Sequence, residues 1–235
     1  MATFVLVHGG WSGGWNWQAV ARRLRAAGHE VYAPTLTGLG ERVHLATPAV
    51  GLDTHVTDIV NVLAYEDLHD VILAGHSYGG MVITGVAAQA PERLAQLVYL
   101  DAYVPFAGES MLDLVAPEAR RTLDAQFRAG GDGWRHPGLG GETPRHVPHP
   151  WKCFVQPLPA GLPAVPAIPR TYVRFTADKN PGEFMAMCFA LSVERAKADS
   201  WPLRELDIDH SVRANADAVA GVLLDFVPSP DRPTT

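Results

Sequence analysis

Cysteine is nearly absent from this chain of 235 residues, which holds only Cys153 and Cys188. Two cysteines cannot build a disulfide framework, and these two are not in metal-type spacing. Positive charge is also short: 19 Lys and Arg stand against 25 Asp and Glu, a net charge of −6. The chain therefore has no basic footprint for nucleic acid, and its aromatic residues are not interleaved with Lys or Arg runs. No apolar run is long enough to span a bilayer, so no membrane association is expected. A first strand entered by Thr3 leaves no stretch for a signal peptide, and the expected location is the cytoplasm. A Walker lysine, a Gly-x-Gly-x-x-Gly spacing with a later ribose acid, and internal repeats are all missing, which argues against a nucleotide site or a solenoid. What remains is a composition 47% hydrophobic and 19% charged, ordinary for a soluble globular protein and long enough for one substantial core. Oligomeric state is left open, a homodimer being compatible with it.

The chain is organised around Gly75-His76-Ser77-Tyr78-Gly79-Gly80. The apolar run Val71-Ile72-Leu73-Ala74 before it reads as a strand. Residues 81–90 after it read as a buried helix closed by Pro91. Strand, Gly-x-Ser-x-Gly turn and helix are the context of a nucleophile elbow, in which the serine sits at a strained backbone angle with its hydroxyl above the sheet. The plain alternative is a glycine-rich connection with an incidental serine.

Other segments fit an α/β fold with a mainly parallel sheet flanked by helices. Thr3-Phe4-Val5-Leu6-Val7 lacks polar alternation, as in a strand covered on both faces, and runs into the glycine-rich loop His8-Gly9-Gly10-Trp11. Helices are expected over 17–27, 52–63, about 182–197 and 215–227, and strands over 29–34, 97–100, 170–175 and 203–207. Between 104 and 168 the pattern changes. Residues 117–128 suit a helix, but nine prolines fall between Pro137 and Pro169, so this segment is expected to insert as a cap within a single domain. Its Trp134, Trp151 and Phe154 are candidates to line an apolar pocket or to pack the cap on the core. Residues 228–235 are expected to be a frayed tail.

A serine hydroxyl needs an adjacent base. His210, just after the last strand, completes the order serine, acid, histidine. Of the other histidines, His8 and His76 lie where backbone geometry dominates, and His29, His44, His55 and His69 are expected near surface turns or helices. His136, His146 and His149 fall in the cap, where they make only a weak case for a metal. Two acids compete to orient the imidazole: Asp178, after the strand that follows the insertion, is the first choice, and Asp101, ending the strand after the elbow helix, is the alternative. The oxyanion needs two converging amides. Tyr78, at the N-terminus of the elbow helix, supplies one, and Gly10 of the glycine loop is the candidate for the other.

His8-Gly9-Gly10-Trp11, the elbow, Thr176-Ala177-Asp178-Lys179 and Asp209-His210 together resemble the α/β-hydrolase superfamily. Within it the chain is similar to the group of plant methylesterases and hydroxynitrile lyases, and more closely to bacterial carboxylesterases of the pyrethroid-hydrolase type, whose pattern residues 32–42 follow. The resemblance implies a cofactor-independent, metal-free serine esterase acting on a small apolar carboxylic ester through an acyl-enzyme on Ser77, with Asp178 as the acid. Ser211 stands where hydroxynitrile lyases carry a lysine, which weakens a lyase reading. A lactonase, or a small-molecule receptor that retains the triad, are the other functions this scaffold allows.

Overall fold

The computed structural model describes residues 1–130, 132–138, 145–161, 168–177, 179–180 and 182–227. Its elements in chain order are β1 (Thr3–Val7), α1 (Gln18–Ala26), β2 (Glu30–Tyr32), α2 (Leu52–Tyr65), β3 (Val71–His76), α3 (Gly79–Gln89) and β4 (Leu94–Leu100). Then follow α4 (Pro117–Ala129), β5 (Arg135–His136), β6 (His149–Pro150), α5 (Lys152–Val155), β7 (Arg170–Phe175), α6 (Phe184–Ala198), β8 (Leu203–Leu206) and α7 (Ala216–Leu224). Six strands form one sheet in the order β2-β1-β3-β4-β7-β8, every neighbouring pair parallel. The expectation of an α/β fold with a mainly parallel sheet flanked by helices is met.

β1 reads as a continuous apolar run because both faces of the sheet are covered. Phe4 and Leu6 pack with Val20 and Leu24 of α1 and Val219 and Leu223 of α7. Val5 and Val7 turn the other way, into a core shared with Val56 and Ile59 of α2, Met81 and Val82 of α3 and Phe189 of α6. Burying each such side chain is worth roughly 1.5–3 kcal/mol. The main departure at the front of the chain is a short 3-10 turn, Gly14–Trp17, which delays α1 to Gln18.

Topology then places the chemistry. β1 lies between β2 and β3, so the chain leaves β1 toward opposite sides, and a crevice opens beyond the strands' C-terminal ends at that point. The glycine loop follows β1 there and the elbow follows β3. Because the sheet is parallel, Asp101 after β4, Lys179 after β7 and His210 after β8 reach the same edge.

Among the described residues, the segment between β4 and β7 holds no long strand, as its prolines imply. The two-residue strands β5 and β6 pair antiparallel, and α4 is its one long helix among the described residues. A buried-edge ion pair ties its start to α6: Arg195 makes two hydrogen bonds to the Glu109 carboxylate at 2.6 and 2.7 Å and a third to the Val104 carbonyl at 2.8 Å. Residues 228–235, expected to fray, lie outside the described residues.

Candidate active site

Ser77 follows a strand in which all six residues are buried, and its φ is +54°, in the left-handed region that a side chain adopts only under constraint. Its N–H donates to the Leu100 carbonyl at 3.3 Å, and its carbonyl accepts from Gly80 at 3.0 Å and Tyr103 at 3.2 Å. The two motif glycines make this turn sterically feasible. A Cβ on Gly75 would lie 2.7 Å from the Gly79 carbonyl oxygen, and one on Gly79 would lie 2.7 Å from the Val7 carbonyl oxygen.

His210 reaches the sheet edge from the loop after β8. Its Nδ1–H donates to Asp101 Oδ2 at 2.5 Å, which assigns the imidazole's lone pair to Nε2. The Lys179 ammonium is 2.9 Å from the same Asp101 oxygen, with side-chain exposures of 3% and 0% for the pair. Asp101 itself has a φ of +44° and is anchored by donating its N–H to the Val173 carbonyl at 2.7 Å. The His210 ring stacks on Phe189 at 5.0 Å and leans on His76 at 4.4 Å. Burial, then the neighbouring imidazole of His210, push the pKa of His76 well below the ordinary value, so His76 is a neutral packing partner. Asp178, the first-choice acid of the sequence, lies outside the described residues. The contact made is the one left as its alternative, Asp101.

Ser77, His210, Gly10 and Tyr78 line one cavity of about 720 Å³. Among the described residues no protein acceptor engages the N–H of Gly10 or of Tyr78. The walls are largely apolar, with Trp11, Met111, Leu123, Phe154, Phe184 and Phe189 facing in. Of the three insertion aromatics named from sequence, Phe154 alone lines this cavity. Trp151 stacks on Phe127 at 4.4 Å, and Trp134 lies under the Arg135 guanidinium at 4.6 Å.

A second array of histidines lies behind the Tyr78 side. His55, expected near the surface, is fully buried. Its Nε2–H donates to the Thr37 carbonyl at 2.9 Å, so Nδ1 accepts from the Tyr78 hydroxyl at 3.0 Å. Likewise His8 donates from Nδ1 to the Gly9 carbonyl at 2.8 Å and accepts the Leu36 N–H on Nε2 at 3.1 Å. Burial pulls both rings down to about 4, consistent with these neutral tautomers. From β6, His149 accepts the Trp11 N–H on Nδ1 at 3.1 Å. His55, His149 and Cys153 bring donor atoms within 4.8 Å of one another, the spacing of a metal cluster. The donors do not fit a cation: the acceptor nitrogens of both rings already take hydrogen bonds, and burial pushes the Cys153 thiol up to about 12. Sequence reasoning missed the contacts of His8, His55, His149 and Lys179: His8 and Lys179 stand in motifs read for their neighbours, and no local pattern marks His55 or His149.

Comparison with known proteins gives three kinds of likeness. The model of the alpha/beta hydrolase family matches residues 4–222. A carbendazim-hydrolysing esterase of Nocardioides sp. (strain SG-4G) is 51% identical over 130 residues, covering 55% of this chain and 54% of the relative. A pyrethroid hydrolase of Sphingobium wenxiniae is 33% identical over 115 residues, covering 48% and 40%. The chain thus spans about half the length of the curated relatives it matches. Among solved structures, an extracellular alpha/beta-hydrolase from a Paenibacillus species superposes with a TM-score of 0.81 at 25% identity, covering 96% of this chain and 98% of that one.

Proposed function

Because the chain belongs to the alpha/beta hydrolase family, we propose that it is a serine carboxylesterase acting on small apolar carboxylic esters through an acyl-enzyme on Ser77. One observation carries this reading: a strained serine, a carboxylate-bound imidazole and two unengaged amides line a single apolar cavity. The names of the relatives agree with an esterase. Ser77 Oγ attacks the ester carbonyl while His210 Nε2 takes its proton, and Asp101 holds the imidazolium that forms. The Gly10 and Tyr78 N–H groups receive the oxyanion, aided by the N-terminal end of α3. The C–O bond to the alcohol then breaks, and His210 returns the proton to the departing oxygen. Water, deprotonated by the same imidazole, attacks the acyl-enzyme, releases the acid and restores Ser77.

The described part of the insertion acts as a cap in this reading: Met111, Leu123 and Phe154 supply apolar wall for the acyl or alcohol part. The test is a panel of esters of graded acyl and alcohol size, with carbendazim included, assayed against Ser77→Ala as the blank. Turnover confined to the wild-type serine, with a burst and a trapped acyl group on Ser77, supports the reading. Tight ligand binding without turnover points to a receptor, and turnover without an acyl-enzyme points to a lyase.

A further inference from the structure

From the geometry around Trp11 we infer that His149, a residue of the insertion, is a positioning residue for the oxyanion hole. It holds in place both of the chain segments whose amides would receive the negative charge. The inference rests on the esterase reading and deepens it.

His149 is fully buried and does not line the cavity; it stands behind it. Its Nδ1 accepts the Trp11 N–H at 3.1 Å across 138 residues of chain. Trp11 immediately follows Gly10 and has a φ of +58°, a conformation that a tryptophan does not hold without support. Fixing the Trp11 N–H fixes the Gly10–Trp11 peptide plane, which is joined through the Gly10 Cα to the Gly9–Gly10 plane that carries the Gly10 N–H, and so narrows the rotations open to that amide. The ring also backs directly on Gly10, since a Cβ there would lie 3.5 Å from His149 Nδ1. On its other side the same ring packs edge-on against the Tyr78 ring at 4.9 Å. Tyr78 is fixed in turn through its hydroxyl, which donates to His55. One imidazole therefore abuts both halves of the proposed oxyanion hole.

Two other insertion residues grip Trp11. Val147 donates its N–H to the Trp11 carbonyl at 3.0 Å, and the His136 carbonyl accepts from the indole N–H at 3.2 Å. The loop therefore keeps its course when His149 is replaced. What changes is the part-buried Trp11 N–H, which loses its acceptor and seeks another by rotating its peptide. The expected loss is thus smaller than the 10²- to 10³-fold cost of removing an oxyanion donor outright.

The experiment compares wild type with His149→Phe, which keeps a ring and removes the acceptor, and His149→Asn, which retains a short acceptor. Each is assayed for kcat and KM on the best ester of the panel, and for affinity toward a matched trifluoromethyl ketone. That ketone takes the Ser77 oxygen at its carbonyl carbon and leaves its own oxygen anionic in the hole. We expect His149→Phe to lose roughly 10- to 100-fold in kcat with KM nearly unchanged, and to lose ketone affinity by the same factor. His149→Asn recovers most of both. If His149→Phe does not fold, His149→Leu, which is smaller than the ring it replaces, is read in the same way. Wild-type kcat in the ring variant, a kcat loss with ketone affinity intact, or an Asn variant as slow as Phe overturns the assignment. A wild type that neither turns over esters nor forms the ketone adduct overturns the esterase reading itself, and the assignment with it.

Discussion

The two flanks of Ser77 are built from the same residue type and differ in charge. On the His210 flank, an imidazole, the Asp101 carboxylate and the Lys179 ammonium meet at one buried oxygen atom. On the Tyr78 flank, His55 and His149 are neutral rings holding a hydroxyl and a backbone N–H. The difference follows the chemistry proposed for each. A group that must become a cation during turnover needs a countercharge nearby. A hole that receives an anion for an instant needs fixed dipoles, and a resident charge there would have to be solvated at every other moment.

The largest break of this comparison is at its centre. Ser77→Ala should remove ester turnover by roughly 10⁶ in kcat while the circular dichroism spectrum stays native. Next is the charged flank: Asp101→Asn should cost roughly 10⁴ in kcat, because the imidazole loses its oriented tautomer. Asp178→Asn, measured beside it, should cost far less, and the opposite ranking would move the acid role to Asp178. Lys179→Met should leave a buried carboxylate short of one partner and lower stability by about 3–5 kcal/mol, read as a drop in urea midpoint.

The neutral flank gives the smallest and most pH-dependent effect. His55, held near 4 in the folded chain, returns to its ordinary 6.5 on unfolding. Between those values the unfolded chain binds the extra proton, so stability is full above pH 6.5 and falls as pH drops toward 4. The loss for this one ring is on the order of 3 kcal/mol. His55→Gln should flatten the decline of the urea midpoint between pH 7 and pH 4. An unchanged slope would show that the ring is not held neutral.

Much of this was legible in the chain. The elbow was readable because strand, glycine pair and helix are adjacent in sequence, and each local preference agrees with the next. His210 was readable as a candidate base from its place after the last strand, and Gly10 and Tyr78 as candidate amides from theirs in a glycine loop and at a helix N-terminus; all three line the one cavity. The insertion's interior was less so. Trp151 and Trp134 have the same composition signal as Phe154, yet one of the three lines the cavity, because which face a side chain presents depends on neighbours far away in the chain. His55 was read as near-surface, although it occupies the buried stripe of its amphipathic helix with Leu52, Val56 and Ile59.

By itself, then, the sequence determined the parallel sheet, the strained serine turn and the loop that carries the imidazole, since these arise from hydrophobic periodicity and steric rules acting over a few residues. Only tertiary structure decided which carboxylate meets His210, 109 residues away, and that a histidine of the insertion holds the glycine loop from 138 residues away. Hydrogen bonds between such distant groups leave no periodic trace along the chain. They exist because the folded sheet carries several loop ends to one edge.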